Sequence, residues 1–336
     1  MAGKKHAVLL GPFVGELYWE GGRFAQMLPN MISKQYKNRD DIEYIVLTRK
    51  ERFDLYGKFA DILVPLRIPG DYKSLSPNCF RLNGLKGGQY HDIANKFKKK
   101  YQQRYKILKH IYPDVSKGQY VNKNQYRRNE LKYVYAPRKE NYKLVDAYLP
   151  DQKPIIVLGS RFRKGFKRNW KGWQKFYDLL WKRKDLLRDF TFIICGKEGE
   201  YKGDLYDRFY DMNKIQVTEN SSLIGILLVI LERAFFTFGS QSAIPNFSLL
   251  YGVDVLEFGC QKSLHTRTYN VKNTPITFID DRKYASDPAV MLGKLEKLIR
   301  RKQRNDRTTT KSMATAKQSS VPKIKKTADG IQLQKS

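Results

Sequence analysis

Short apolar runs, each closed by a glycine, recur along this chain between stretches of helical periodicity, and that alternation leaves few folds open. Ala7-Val8-Leu9-Leu10 ends at Gly11-Pro12, Ile155–Leu158 at Gly159-Ser160, Phe192–Cys195 at Gly196, Phe235–Phe238 at Gly239-Ser240 and Val255–Phe258 at Gly259. Short apolar runs bounded by turns and alternating with helical segments build a parallel sheet covered by helices. The expected strands are His6–Leu10, Tyr44–Leu47, Ile62–Val64, Pro154–Leu158, Phe190–Cys195, Ala234–Phe238 and Val255–Phe258. The expected helices are Glu20–Lys34, Trp173–Lys184, Leu205–Met212, Ser222–Leu231, Ile244–Tyr251 and Pro288–Arg301.

With 336 residues the chain is long enough for two such α/β domains. Each half reads as its own Rossmann-like domain, residues 1–150 and 151–301, joined at Leu149-Pro150-Asp151-Gln152. Two domains of this kind face each other across a cleft, and a ligand sits at the strand carboxyl ends that line it. Residues 302–336 contain no aromatic residue and are expected to form a flexible basic tail, either a tether to a polyanion or a solubilising extension. The longest apolar stretch, Leu223–Leu231, is too short for a membrane span, so no transmembrane segment is expected. The start, with Lys4 and Lys5 before Ala7–Leu10, mimics a signal peptide but reads as a first buried strand. Cys79, Cys195 and Cys260 are spaced too widely for a disulfide scaffold or a thiolate metal site, which makes a cytoplasmic location the default.

Charge is the unusual quantity. The chain carries 64 Lys and Arg against 33 Asp and Glu, a net +31, and the excess is spread over all three pieces as +15, +9 and +7. An excess of that size points to a polyanionic partner, either a nucleic acid or an anionic membrane surface.

Three segments carry candidate chemistry. Gly11-Pro12-Phe13-Val14-Gly15-Glu16 follows the first strand but lacks the third glycine of a dinucleotide fingerprint, so a nicotinamide cofactor is disfavoured. The loop offers carboxylates instead. Glu16, or Glu20 one turn on, is placed either to take a proton from an attacking hydroxyl or simply to complement a helix N-terminus. After Gly159-Ser160, five cations including Arg161, Lys167 and Arg168 precede a helix, an arrangement suited to a diphosphate. Gly239-Ser240-Gln241-Ser242 opens a further helix, where small residues and hydroxyls form either an anion cradle or a plain cap.

From Pro154 to Gly259 the order of elements resembles the donor-binding domain of the GT-B glycosyltransferases related to the lipopolysaccharide heptosyltransferases, glycosyltransferase family 9. Arg168-Asn169-Trp170 with Trp173 and Phe176 is similar to that family's Lys-x-Trp and aromatic helix, Cys195-Gly196 with Glu198 and Glu200 to its strand ending in Gly near a Glu, and Gln241–Asn246 to its Asp-Ser-Gly-Pro-Met-His turn. Gly252-Val253 and Phe258-Gly259 are similar to its closing Gly-Val-Pro and Phe-Gly. The departures are Gln241 for Asp, Asn246 for His and Arg168 for Lys. The resemblance implies a GT-B fold, a nucleotide-sugar donor as co-substrate and an inverting, metal-independent transfer with no cofactor. It implies that Arg168 meets the diphosphate, Glu198 or Glu200 the nucleoside, and Ser240, Gln241, Ser242 and Asn246 the phosphates and sugar. In the first domain it covers residues 6–24 only and carries the catalytic role to Glu16.

Residues 96–143 hold 15 Lys and Arg against 3 acids, interleaved with tyrosines. Such a stretch grips nucleic acid, docks on anionic lipid or is a solvated face. The leading expectation is a glycosyltransferase acting on hydroxymethylated bases of DNA, resembling GT-B enzymes encoded by some bacteriophages. Lys98, Lys99, Lys100, Arg104, Arg127 and Arg128 would then contact the acceptor. One alternative keeps the reaction and takes a lipopolysaccharide or surface polysaccharide as acceptor; another is a nucleic-acid-binding protein without catalysis.

Overall fold

The computed structural model describes residues 5–13, 40–57, 59–66, 87–112, 135–149, 153–160, 169–196, 208–240, 242–259, 270, 272–281, 283–319, 326–327 and 330–331. By compactness the chain divides into residues 1–286 and residues 287–336. The first unit holds two parallel sheets.

The amino-terminal sheet is built from β1 (Lys5–Phe13), β2 (Ile42–Thr48), β3 (Ile62–Pro65) and, after helix α1 (Gly87–Gln102), β4 (Tyr105–Ile111), in the order β3-β2-β1-β4. Side chains alternate across it as the pleat requires. Ala7, Leu9, Ile45 and Leu47 pack with Phe97 of α1, while Val8, Leu10 and Val46 enter a larger core on the other face. Helix α2 (Lys139–Tyr148) leads to the second sheet.

That sheet follows as β5 (Ile155–Gly159), α3 (Trp173–Lys182), α4 (Lys184–Asp189), β6 (Thr191–Cys195), β7 (Tyr210–Asp211), α5 (Leu223–Arg233), β8 (Ala234–Ser240), α6 (Ala243–Tyr251), β9 (Asp254–Phe258) and β10 (Ile276–Ile279). Its order is β10-β9-β8-β5-β6-β7. One face is sealed by aromatic packing: Trp170, Trp173 and Phe176 meet Phe238 and Phe258 at ring-centroid distances of 4.9–6.2 Å. Helices α5 and α6 cover the other, where Val157, Ile193 and Val255 join Val8, Leu10, Leu55, Tyr56, Val145 and Leu149 in one continuous core. The two sheets therefore share their interior. A 3-10 turn after β2, Lys50–Leu55, packs on α5, and the Tyr135 ring lies 5.6 Å from that of Phe247 on α6.

In the second unit, α7 (Pro288–Ser319) buries Met291, Leu292, Leu295 and Ile299 at helical spacing, and β11 (Lys326–Thr327) pairs antiparallel with β12 (Gly330–Ile331). Helix α7 continues past Arg301 to Ser319, into the piece expected to be a flexible tail. Its Lys, Arg, Gln and Ala residues are good helix formers, which offsets the threonines at 308–310.

Other expectations need correction. The expected helix Leu205–Met212 is, over its described part, strand β7 followed by a 3-10 turn at Met212–Lys214, where the Asp211 side chain accepts from the Asn213 amide. The expected helix Trp173–Lys184 breaks at Arg183, whose ψ of 75° leaves the helical region. The expected helix Glu20–Lys34 lies outside the described residues.

Candidate functional site

In the second sheet the chain winds outward from β5 through β6 and β7, then returns to β8 on the other side of β5 and winds outward again through β9 and β10. The switch point lies between β5 and β8, whose succeeding helices α3 and α6 cover opposite faces. Helices that diverge in this way leave a crevice at the strand carboxyl ends, the usual ligand position in such sheets. Here those ends are Gly159-Ser160 and Gly239-Ser240. A Cβ on Gly239 would lie 3.0 Å from the Gly159 carbonyl oxygen, and one on Gly159 3.3 Å from Cγ2 of Ile244, so the two strand ends pack closely on each other and against the start of α6. On the next strand, a Cβ on Gly196 would meet the Ser160 carbonyl at 2.8 Å.

The start of α6 packs on these strand ends through Ile244. Ser242 is the N-cap residue of α6, with extended backbone (φ −156°, ψ −175°). A cap serine ordinarily accepts from the amide of the second or third helical residue. The third is Pro245, which has no amide hydrogen, and Ser242 makes no side-chain cap bond. Its buried hydroxyl oxygen has no partner, and neither has that of Ser240, a residue only 1% exposed. Asn246 is 3% exposed; its Nδ2 donates to the Ser242 carbonyl at 2.7 Å, while Oδ1 has no partner. Three of the expected site residues are thus brought to one turn. Each presents a buried polar atom, beside helix amides that lack intrahelical acceptors and carry the positive end of the dipole. Hydroxyl donors at a positive helix end suit an anion. At its other end α6 stops at Gly252, whose φ of +82° is the left-handed conformation that glycine adopts without strain.

The first sheet has its own switch point, between β1 and β4. There His110 of β4 donates from Nε2 to the Gly11 carbonyl at 2.7 Å, holding the Gly11-Pro12 end of β1 from which the segment bearing Glu16 departs. The ring lies 5.7 Å from Phe97, and burial, reinforced by the positive charge of Lys98 and opposed by the Gly11 bond, lowers its pKa below the ordinary imidazole value. Sequence reasoning missed His110 because β4 carries lysines where a buried strand would carry apolar residues. It also missed Glu257, a wholly buried carboxylate on β9 in register with Gly239. A Glu between Leu256 and Phe258 is the visible signal. Cys195, at the end of β6, is buried and its thiol is pushed up by that burial, which makes it an inert packing residue.

Lys98, Lys99, Lys100 and Arg104 are exposed at the end of α1 and the turn into β4. Tyr105 pairs with Lys5 at the start of β1, so these cations stand at the amino edge of the sheet, the end opposite Gly11 and His110. Glu16, Glu20, Arg127, Arg128, Arg161, Lys167, Arg168, Glu198, Glu200 and Gln241 lie outside the described residues. Among the described residues no group of His, Cys, Asp and Glu is placed to hold a metal ion, and no helix is long and apolar enough to cross a membrane.

No family model and no curated protein matches the chain. Solved structures do match. A glycosyl transferase family 9 protein from Veillonella parvula superposes with a TM-score of 0.50 at 10% identity, over 88% of this chain and 97% of its own. The ADP-heptose lps heptosyltransferase II of E. coli superposes with a TM-score of 0.52 at 9% identity, over 89% of this chain and 99% of its own. A UDP-GlcNAc 2-epimerase from Neisseria meningitidis reaches 0.44 at 11% identity, over 88% and 91%. At these identities the likeness is one of architecture: two parallel α/β sheets joined in one chain, the GT-B fold.

Proposed function

We propose that this chain is a glycosyltransferase that holds a nucleotide-sugar donor at the start of α6 and passes the sugar to a hydroxyl of a lipopolysaccharide or other surface polysaccharide. The observation that carries the reading is the pair of buried hydroxyls, Ser240 and Ser242, unpartnered at the N-terminus of α6 where β8 ends. A diphosphate supplies the acceptors those hydroxyls lack, and the helix end stabilises the negative charge that grows on it as the glycosidic bond breaks. In this scheme residues 151–301 bind the donor, with Arg161, Lys167 and Arg168 on its phosphates and Glu198 or Glu200 on its nucleoside. Residues 1–150 bind the acceptor, and Glu16 or Glu20 takes the proton of the attacking hydroxyl. Neither a metal nor a cofactor enters this scheme.

The likeness to heptosyltransferase architecture supports a glycan acceptor. A DNA acceptor draws on the cations Lys98, Lys99, Lys100 and Arg104, which stand at the wrong edge of their sheet to meet a reacting hydroxyl. The deciding experiment measures nucleoside diphosphate released from ADP- and UDP-sugars in the presence of truncated lipopolysaccharide, hydroxymethylated duplex DNA or unmodified DNA. Release driven by the glycolipid is the expected result; release driven by hydroxymethylated DNA restores the DNA reading, and nucleotide binding without release under any acceptor leaves a non-catalytic protein.

A further inference from the structure

We infer that the surface at the end of α1, with Lys96, Lys98, Lys99, Lys100, Arg104 and Lys106, docks the protein on an anionic membrane; it lies at the amino edge of the first sheet and does not rest on the donor-binding reading above. From position 96 to position 106 the sequence holds these six cations and no acid. All six are exposed, while Ala94 and Phe97 on the inner side of the same helix are buried. Phe97 packs with Ala7 and Leu9 of β1, so α1 is pinned by its apolar side and its last turns present lysines to solvent. Glu43, near the amino end of β2, is already engaged: Lys5 donates to it at 2.8 Å and the Tyr105 hydroxyl at 2.7 Å, so it does not neutralise the patch. A patch of one sign attracts a surface of the other.

Two observations favour a lipid surface over a nucleic acid. A protein that grips single strands without reading their sequence stacks bases on open aromatic faces. The tyrosines of this patch are committed elsewhere: Tyr101 is in T-shaped contact with the buried Phe97 at 5.2 Å and lies under Nζ of Lys100 at 5.5 Å, and Tyr105 is tethered through its hydroxyl to Glu43. Five of the six cations are lysines, compact and strongly hydrated charges on flexible stems. Such charges suit a diffuse layer of anionic headgroups, whereas the arginine fork suits individual phosphates. Strand β4 then runs seven residues from Tyr105 to Ile111, about 20 Å at about 3.3 Å per residue. Its His110 end therefore stands off the lipid, free to meet a glycan that extends from it.

The test is sedimentation with vesicles of phosphatidylcholine carrying rising fractions of phosphatidylglycerol, at low and high salt. It compares the wild type, the triple variant Lys98→Gln, Lys99→Gln, Lys100→Gln and a control with the same exchange at the exposed Lys175, Lys294 and Lys297, the fold of each checked by circular dichroism. Wild-type binding is expected to rise with phosphatidylglycerol and fall with salt. The triple variant is expected to lose about a hundredfold in affinity, about fivefold per lysine, and the control to stay within about threefold of wild type. Equal losses in variant and control would trace binding to net charge alone and overturn the inference, as would a wild type that ignores anionic vesicles. Duplex DNA added at equal phosphate concentration is expected to leave the protein on the vesicles. If it strips the protein off, and the slope of log K for DNA against log salt flattens by about three units in the triple variant, the surface belongs to a nucleic acid and the inference falls. Nucleoside diphosphate binding, measured by calorimetry on the same three proteins, reports on the donor site separately, so failure of either reading is seen without the other.

Discussion

The Ser222 hydroxyl donates to Oδ2 of Asp54 at 2.6 Å, joining two residues 168 positions apart in the chain. Ser222 caps α5, accepting from the Gly225 amide at 2.9 Å, and Asp54 lies in the 3-10 turn that leaves the carboxyl end of β2. The Arg138 amide, Nε and Nη2 and the Asn141 Nδ2 also donate to the two Asp54 oxygens, at 2.8–3.1 Å, while Asn141 Oδ1 accepts from the Ser222 amide. A carboxylate with no exposed surface is thus fully hydrogen-bonded where the first sheet, α2 and α5 converge. Because α5 precedes β8 in a parallel crossover, its N-terminus lies at the carboxyl side of the second sheet. The network therefore joins the carboxyl edges of both sheets, which is the relationship a shared site requires.

Removing the carboxylate leaves four donor groups facing one another, with Asn141 and Ser222 almost wholly buried. Asp54→Ala is expected to cost about 3–5 kcal/mol, the usual result of breaking a buried ion pair from one side. Urea unfolding followed by circular dichroism measures it. A loss below about 1 kcal/mol would mean that water replaces the carboxylate without penalty.

Gly225 is required at this junction by space. A Cβ there would collide with the Asn141 side chain and lie 2.6 Å from Asp54 Oδ2. In an exposed helix, Gly→Ala stabilises by about 1 kcal/mol; here Gly225→Ala is expected to destabilise by about 1–3 kcal/mol through overpacking. The sign of the change in urea midpoint decides between the two.

How much of this was legible in the sequence differed from place to place. The strand ends around the candidate site were, because Gly159, Gly196 and Gly239 mark where backbone must approach backbone, and that signal is local. Strand β4 was not, because as an edge strand it carries Lys106 and Lys109 on its exposed positions and so never shows an apolar run. The turn into α6 was visible as Gly-Ser-Gln-Ser. What sets it apart from an ordinary serine cap is Pro245 at the third helical position, which has no amide hydrogen to offer the Ser242 hydroxyl. The bonds Asp54–Ser222 and His110–Gly11 link residues 168 and 99 positions apart, and no pattern within a strand or a helix reports contacts of that range.

The unpartnered hydroxyls predict effects of opposite sign on binding and on stability. Ser240→Ala or Ser242→Ala should each weaken nucleoside diphosphate binding by about 1 kcal/mol, roughly fivefold, because the neighbouring backbone amides of the turn remain. In the unliganded protein each substitution removes a buried polar atom that has no partner, so melting temperature should hold or rise slightly. Calorimetry with ADP and UDP, beside thermal denaturation without ligand, measures both. A parallel fall in affinity and melting temperature would show that the hydroxyls support the fold.

His110 sets an acid limit on stability. Burial disfavours its charged form, so its folded pKa lies below the ordinary imidazole value of about 6.5. The sign follows from which state binds the proton more readily. Above pH 6.5 both forms are neutral and pH has no effect through this group. As pH falls through the ordinary value the unfolded chain takes up a proton that the folded chain resists, so stability declines until the folded pKa is passed. Gln at this position retains an N–H to donate to the Gly11 carbonyl but cannot titrate. His110→Gln should therefore flatten the decline in unfolding free energy between about pH 6.5 and pH 5 relative to wild type, with little change at pH 8. Urea titrations at those three values test it: identical slopes in variant and wild type would show that the imidazole titrates alike in both states.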